Sequence, residues 1–288
     1  MSTTPHVSVL GSSANETNVN LVSAWRAFGI DAELVAATEA RRRIGPGSIA
    51  LARIDVTPTL AGVEPGLLEL VWLERSGVPV INTARALLAA HDKLRFASLM
   101  TAAGLPHPRT VHVRAGDVPE IEPPLVVKPR FGSWGRDVFR CESWPDVARV
   151  LRDVQQRPWF RRHGALLQEL IPPRGHDLRI LVARGRVVGA VERISAAGEW
   201  RTNVALGGAI RPTDPPTEAR LLALAATDAI GADFVGVDLL ELDDGSHIVL
   251  ELNGAVEFKL EYALGSTSVF EDIAAALELA PLPARAAV

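Results

Sequence analysis

Cysteine is nearly absent from this chain of 288 residues, in which Cys141 is the only one. A single thiol excludes an intramolecular disulfide framework and any metal site built from several cysteines. The sequence also lacks a run of about 18 apolar residues of the kind that spans a membrane. Its first residues lack the basic stretch and the apolar segment of a secretory signal. These absences predict a cytoplasmic protein whose one thiol is buried or idle.

A large excess of charge of either sign is lacking as well. The chain is 48% hydrophobic and 22% charged, and its formal net charge is −4. Such a small net charge does not indicate a nucleic-acid or membrane partner. The composition is typical of a globular protein with enough apolar surface for two or three compact units.

Short β-rich stretches alternate with helical patterns over roughly the first 83 residues. Strands that alternate with helices predict βαβ units around a parallel sheet. A helical pattern then runs from Ala84 to about Ala103 and meets Gly104 and Pro106, which form a typical stop signal. We predict one helix there, linking the first unit to the rest of the chain.

Beyond this helix the pattern changes. Apolar, strand-like stretches joined by short Gly or Asp turns alternate with helical patterns near 143–156 and 217–230. Strand pairs packed by helices predict α+β units. The predicted organisation is an α/β unit over residues 1–83, a central unit over residues 84–165 and a C-terminal unit over residues 166–288.

Residues 234–254, FVGVDLLELDDGSHIVLELNG, have the pattern of a β-hairpin. Asp244-Gly245 between two apolar runs predicts a two-residue type I′ turn. That turn sets a register in which Asp238 faces Glu251 directly across the two strands. Like charges in such a position are destabilising, so the pair requires an explanation.

A cation between the two carboxylates is one explanation, and a shared proton is another. Asn253 lies on the same face as Glu251, and Gly236 opposite Asn253 leaves room for a ligand to approach the sheet. Oxygen ligands of this kind suit Mg²⁺, with substrate phosphates completing its shell. An exposed acidic hairpin end is the alternative, although the apolar flanks of both strands make it less favourable.

Lys128 ends another apolar stretch, LVVKP, and the glycine-containing loop RFGSWGR follows it. Backbone amides in such a loop can cradle phosphate oxygens, and the lysine would add a point charge. A hairpin turn with a solvent-exposed lysine explains the same pattern more often. Arg193 and Arg201 near Gly207-Gly208 could stabilise developing phosphate charge. Exposed arginines on strand edges are ordinary, however.

Taken together and in order, these stretches resemble those of ATP-grasp ligases over nearly the whole chain. The similarity is greatest to the ribosomal-protein glutamate ligases and to the lysine- and arginine-biosynthesis ligases that act on an amino-group carrier protein. Residues 193–208 also resemble bacterial glutathione synthetase. The resemblance implies an ATP-grasp fold behind an N-terminal parallel α/β domain. The stretches that carry it are HDKLRFASLMTAAGLPHPRT, VVKPRFGSWGR, LLQELI with HDLRILV, ERISAAGEWRTNVALGG, GVDLLE and LELNGAVEFK.

The resemblance also implies roles for individual residues. The positions matched to ATP binding are two phosphate lysines (Lys93, Lys128), a mobile loop (Gly132, Ser133, Trp134, Gly135), an adenine segment (Gln168, Glu169, Leu170, Ile171) and Asp177 at the ribose. The positions matched to catalysis are Arg179, Arg193, Arg201 and Asn203. The metal ligands are Asp238, Glu251 and Asn253, and the amino-acid substrate is recognised around Glu257, Phe258 and Lys259. The paired acids would therefore hold Mg²⁺ or Mn²⁺ between the ATP phosphates.

Three positions depart from the family pattern. Ile194 and Leu206 stand where many relatives have an arginine, and Gly254 follows the metal asparagine where another residue is common. These departures concern contacts with the substrate rather than the ATP chemistry.

The implied reaction converts a carboxylate to an acyl phosphate, which an amine then attacks. The resemblance implies that a glutamate-like amino acid is attached to a peptide, a small acidic carrier protein or a small-molecule carboxylate. It also implies that the protein is a dimer or tetramer. Two alternatives remain open: a kinase on the same scaffold, and a nucleotide-binding accessory protein without turnover.

Overall fold

The computed structural model of the protein describes residues 6–117 and 119–279. Its first unit is a sheet with strand order β2-β1-β3-β4 in which all neighbouring strands are parallel, which confirms the predicted α/β unit. Strands covered by helices on both faces are apolar almost throughout, and the central β1 is buried at four of its five residues. The elements are β1 (His6–Leu10), α1 (Glu16–Ala27), β2 (Ala32–Val35), α2 (Ala40–Arg43), β3 (Ser48–Ala52), α3 (Leu67–Arg75) and β4 (Val80–Ile81).

The helix predicted over residues 84–103 is in fact two helices, α4 (Ala84–His91) and α5 (Lys93–Ala102). The chain bends at Asp92, which caps α5 by accepting two backbone N–H groups of its first turn at 3.2 Å. The same carboxylate accepts a hydrogen bond from Nε of Arg130 at 2.7 Å. The single-helix prediction is wrong because this break is stabilised by a contact distant in sequence.

The second unit is an antiparallel sheet with strand order β5-β8-β6-β7. Because β8 pairs within this sheet, the unit extends to residue 169 rather than ending at residue 165. Cys141 is buried in β7, and burial raises the pKa of its thiol to about 11, so it is idle as expected. The elements are β5 (Thr110–Val113), β6 (Leu125–Pro129), β7 (Phe139–Cys141), α6 (Trp144–Val154), α7 (Pro158–His163) and β8 (Ala165–Glu169).

The third unit is a five-stranded antiparallel sheet with strand order β11-β10-β9-β12-β13. Helix α8 begins after Pro216 and ends at Gly231, which has a left-handed φ of +67°. Both boundaries agree with the predicted helix over residues 217–230. The elements are β9 (His176–Ala183), β10 (Arg186–Ile194), β11 (Ala209–Pro212), α8 (Thr217–Ile230), β12 (Phe234–Glu241), β13 (His247–Asn253) and α9 (Val269–Ala276).

The first and third units share one hydrophobic core. Helices α5 and α8 pack on one face of the third sheet, while α1 and α9 pack on its other face together with residues of the first sheet. The buried indole of Trp25 in α1 donates a hydrogen bond to the backbone oxygen of Phe270 in α9 at 3.0 Å. This core fixes the first unit against the third at the carboxyl end of β13. Over the described parts of the chain, no helix has both the length and the apolar character needed to cross a bilayer.

Candidate active site

The hairpin of β12 and β13 aligns the side chains that the sequence predicts to face each other. Asp238 pairs with Glu251, and Gly236 pairs with Asn253. A Cβ atom on Gly236 would lie only 2.4 Å from a methyl carbon of Val256. The missing side chain therefore makes room for the chain that follows β13, not for a ligand as predicted.

The turn of the hairpin differs from the prediction. The backbone N–H of Leu242 donates to the oxygen of Ser246 at 2.8 Å, which closes a loop of three residues, and within that loop only Gly245 has a positive φ, +82°. The type I′ turn is wrong because it requires a positive φ at both central residues. A β-bulge at Leu250 in β13 compensates for the extra loop residue, since Leu239 pairs with Val249. The two irregularities cancel, so the acids still face each other.

The bulge also directs two consecutive side chains to one face. Leu250 and Glu251 both line the same cavity, whereas Val249 and Leu252 on either side are buried in the core with α8. Successive side chains of a regular strand would point to opposite faces. A bulge changes this alternation locally, which is a frequent arrangement beside functional sites.

Two arginines, rather than a proton shared with Glu251, neutralise Asp238. Arg179 in the neighbouring strand donates to both oxygens of Asp238 at 2.7 Å, and Arg193 donates a further bond at 2.8 Å. Burial alone would raise the pKa of Asp238, but these two guanidinium groups more than offset that effect and hold the pKa below its ordinary value. Asp238 is therefore an anion throughout the neutral pH range.

A lysine neutralises Glu251, the other acid of the pair. Glu251 forms an ion pair with Lys93 at 2.9 Å. Its burial opposes ionisation, but the charges of Lys93 and Lys128 and the hydrogen bond from Lys93 together outweigh burial and lower the pKa of the carboxyl group. Both facing acids are therefore charged, and the alternative of an exposed acidic hairpin end is excluded by their burial and pairing.

Two cavities meet at this hairpin. The first has a volume of about 120 Å³, the second about 490 Å³, and both are lined by Ser133, Trp134, Asn203 and Glu251. The predicted residues in the first cavity are Lys93, Lys128, Gly132, Ser133, Trp134, Gly135, Gln168, Glu169, Leu170, Ile171, Arg201, Asn203 and Glu251. Those in the second are Ser133, Trp134, Arg179, Arg193, Asn203, Glu251, Asn253, Glu257, Phe258 and Lys259.

Lys128 is buried in the wall of the first cavity, which excludes the solvent-exposed lysine considered above. Its Nζ donates to Oε1 of Gln168 at 2.7 Å. Burial lowers the pKa of Lys128 to about 8, although the nearby Glu251 carboxylate opposes this shift. A buried ammonium group that is weakly compensated is well suited to bind an anion.

The loop of residues 132–135 closes the first cavity. Lys93 donates from Nζ to the backbone oxygen of Gly132 at 2.8 Å, and Arg201 donates to that of Gly135 at the same distance. Trp134 has a φ of +57°, a strained conformation for a bulky residue. Because ligand pockets have volumes of about 300–1,000 Å³, a cavity this small must open at the loop to admit a large ligand.

Arg201 acts on this loop rather than on the second cavity. Its guanidinium group forms a two-point ion pair with Glu199, with distances of 2.9 and 2.8 Å, besides its bond to Gly135. Of the two cavities, it lines the first and not the second. The geometry therefore favours a role in fixing the closed loop.

Two further predicted residues lie away from where the resemblance places them. Asp177 is buried and lines neither cavity, because its carboxylate accepts bonds from Arg193 at 2.7 Å and Thr202 at 2.6 Å. Its position contradicts the predicted ribose contact and instead orients Arg193. Phe258 borders the second cavity, but its ring is buried against Phe234 with a centroid distance of 5.9 Å. Glu257 and Lys259 are the exposed members of that group.

The N-terminal unit contributes side chains that sequence reasoning missed. Glu16 begins α1 just after β1, Asp55 follows β3, and both line the second cavity. Ligands of parallel α/β sheets bind beyond the carboxyl ends of the strands, and this rule could have indicated both positions. The missed residues of the first cavity are all apolar: Pro108, Val126, Pro129, Val138, Trp200, Leu240 and Leu250.

The oxygen ligands at the hairpin fit a metal that is shared with a phosphate. Within residues 6–117 and 119–279, no three Asp, Glu, His or Cys side chains form a metal site by themselves. Mg²⁺ bound together with substrate phosphates needs only one or two carboxylates. Glu251 and Asn253 line the second cavity. Asp238 lies beside them, and hydrogen bonds from Arg179 and Arg193 occupy three of its roughly four acceptor positions.

Gly254, one of the departures from the family pattern, has a steric reason. A Cβ atom there would lie 2.6 Å from Cδ1 of Leu87 in α4. The close approach of α4 to the end of β13 therefore excludes a larger residue.

The sequence is similar to those of known proteins. Residues 90–276 match the sequence model of the RimK-like ATP-grasp domain. The α-aminoadipate–LysW ligase LysX of Sulfurisphaera tokodaii is 29% identical over 204 residues, which cover 69% of this chain and 71% of that protein. The glutamate–LysW ligase ArgX of Sulfolobus acidocaldarius is 28% identical over 194 residues, which cover 65% and 68%.

The fold also matches a solved structure. The RimK domain ATP-grasp protein of Sphaerobacter thermophilus superposes with a TM-score of 0.68 and 22% sequence identity, covering 94% of this chain and 98% of that one. At this level of identity the likeness concerns the fold alone.

Proposed function

The chain belongs to the RimK-like ATP-grasp family, and from this premise we propose that it joins a carboxylate to the amino group of an amino acid while ATP is cleaved to ADP and phosphate. The amino acid would be glutamate-like, as in the names of the relatives, and the carboxylate would belong to a peptide, a carrier protein or a small molecule. The observation that carries the proposal is the meeting of two cavities at Glu251, one lined by lysines and one by arginines.

ATP would occupy the first cavity after its loop opens. Lys93 and Lys128 would bind phosphate oxygens, and the backbone amides of residues 132–135 would close over them. The apolar side chains of Leu240 and Leu250 would contact the adenine ring. Loop closure would exclude water, which would otherwise hydrolyse the acyl phosphate.

Glu251, Asn253 and Asp238 would hold Mg²⁺ or Mn²⁺, which would neutralise phosphate charge when bound. Arg179 and Arg193 line the second cavity and are fixed in place by the buried carboxylates of Asp238 and Asp177. We propose that they orient the substrate carboxylate toward the terminal phosphate and stabilise the oxyanion of the later step.

The attacking amine must lose a proton, and Asp55 is well placed to accept it. It lines the second cavity, and burial raises the pKa of its carboxyl group. In the proposed sequence the ammonium group gives its proton to Asp55, nitrogen bonds to the acyl carbon, and phosphate leaves.

Trapping with hydroxylamine tests this proposal. The protein would be incubated with ATP, Mg²⁺ and pooled carboxylates, and ADP and hydroxamates would be identified by mass spectrometry. ADP together with a hydroxamate would establish acyl-phosphate chemistry and identify the carboxylate. ADP with a phosphorylated hydroxyl product would assign the protein to the kinases instead.

A further inference from the structure

The second cavity continues outward along the surface. A third cavity of about 600 Å³ lies between α1 and the chain that follows β13. We call the joined second and third cavities the α1 groove. The residues that line both parts, and so mark their junction, are Glu16, Thr17, Phe258, Lys259 and Glu261.

The length of the groove exceeds what a single amino acid fills. Its outer part follows one face of α1 from Glu16 at the start of the helix to Phe28 just after its end. Twelve residues of helix span about 18 Å at 1.5 Å per residue. A fully extended polypeptide covers that distance with about five residues, at roughly 3.3–3.6 Å each.

The outer end of the groove is apolar. The floor there consists of small side chains of α1, including Ala24 and Ala27. Phe28 and Leu260 flank it with relative exposures of 44% and 62%. Large apolar side chains exposed together beside a cavity are typical of a binding surface.

The middle of the groove, at and near the junction, is acidic. Glu16, Glu257 and Glu261 are exposed there, and none of them forms an ion pair with another residue in the described ranges. Glu257 has one weak polar contact, from Asn15 at 3.4 Å. Lys259 is the single basic side chain at the junction, so the local charge is negative. A ligand segment with positive charge would complement it.

We propose that the α1 groove binds the C-terminal segment of a polypeptide substrate, with basic side chains near the reacting carboxylate and an apolar side chain six or more residues before it. The carboxylate would reach Arg179 and Arg193 at the inner end. This inference rests on the proposed ligase function and selects a polypeptide over a small-molecule carboxylate. It also replaces the acidic carrier implied by the resemblance with a basic one.

Binding of two synthetic peptides tests the groove. The peptides, Phe-Ala-Ala-Ala-Lys-Lys-Ala and Phe-Ala-Ala-Ala-Glu-Glu-Ala, would carry an N-terminal fluorophore and a free C-terminus. Fluorescence anisotropy would be measured at low salt with a non-hydrolysable ATP analogue and Mg²⁺. We expect the basic peptide to bind about tenfold more tightly than the acidic one.

Three variants locate the effect. Glu261→Lys should remove most of the preference for the basic peptide, and Ser23→Trp, which fills the floor of the groove from an exposed position, should weaken binding of the basic peptide about tenfold. Asp153→Lys is the matched control, because it reverses an exposed acid on α6 away from the groove. Melting temperatures would verify that each variant is folded.

The outcomes separate the groove from the ligase proposal. Equal or tighter binding of the acidic peptide, or unchanged binding in Ser23→Trp, would overturn the groove assignment. Hydroxamates formed from small carboxylates but from neither peptide would overturn it too, while leaving the ligase proposal intact. Tight binding of the basic peptide without ADP formation would support the groove and refute the ligase proposal.

Discussion

Raising the pH from about 7 to about 9 should weaken nucleotide binding about tenfold, because Lys128 loses its proton over this range. Burial, partly opposed by Glu251, lowers the pKa of Lys128 to about 8 in the protein without nucleotide. Its protonated form is the one that attracts phosphate oxygens. Affinity should therefore be close to its maximum at pH 7 and below, and should decrease as the pH rises through 8.

The magnitude follows from the protonated fraction. A lysine with a pKa of about 8 is roughly nine-tenths protonated at pH 7 and one-tenth protonated at pH 9. Bound phosphates raise the pKa of the lysine, so the complex keeps the proton. The loss of affinity over these two pH units is then about 1.4 kcal/mol. The phosphates themselves lose their last proton near pH 6 and do not contribute at higher pH.

Isothermal titration calorimetry with a non-hydrolysable ATP analogue measures both consequences. The dissociation constant should rise from pH 7 to pH 9. Near pH 8, binding should take up about half a proton, which is measured by comparing buffers with different ionisation enthalpies.

Lys128→Arg is the matched control. A guanidinium group remains charged up to a pH of about 12, so the variant should bind with an affinity that does not change over the same pH range. A constant dissociation constant in the unmodified protein, or the same slope in the arginine variant, would refute the assignment of Lys128 to the phosphates.

The remaining predictions concern catalysis, loop closure and packing. Glu251→Gln should lower kcat at least about 100-fold with little change in melting temperature, because it removes a proposed metal ligand; wild-type turnover would contradict the metal site. Asp55→Asn should lower kcat about 100-fold but leave ATP-analogue affinity unchanged, as measured by steady-state kinetics and calorimetry. Arg201→Ala should release the loop and raise the ratio of ADP to product several-fold, as measured by coupled assays of both. Gly236→Ala should destabilise the fold by about 1–3 kcal/mol through contact with Val256, whereas Gly45→Ala, which meets no atom within 4 Å, should not; thermal unfolding compares the two.

Local sequence patterns predicted most of the helices and strands, and the order of the site residues along the chain. The pairing of Asp238 with Glu251 was predicted from a two-residue Asp-Gly turn that is wrong, and it holds because the longer loop and the bulge in β13 cancel. The boundaries of α8 followed from Pro216 and Gly231, which lie directly beside the helix. The fold class was also predictable, because alternating strands and helices require a parallel sheet.

Features that depend on distant contacts were not predictable in the same way. The break between α4 and α5 occurs without Gly or Pro and depends on the contact of Asp92 with Arg130. The hydrogen bond from Arg193 to the carboxylate of Asp177 depends on the pairing of β9 with β10. Asp55 and Glu16 belong to no motif, and only the arrangement of the first and third units brings them to the second cavity.

The bulge in β13 links the length of a distant surface turn to the shape of the nucleotide pocket. If Asp243 joined the strand and paired with Ser246, so that the loop shortened to Asp244-Gly245, a regular ladder would keep Asp238 opposite Glu251 without any bulge. Leu250 would then pair with Leu239 and turn toward the core, and Val249 would replace it in the cavity wall. Natural variation in this turn could therefore alter nucleotide preference without substituting any residue that contacts the nucleotide.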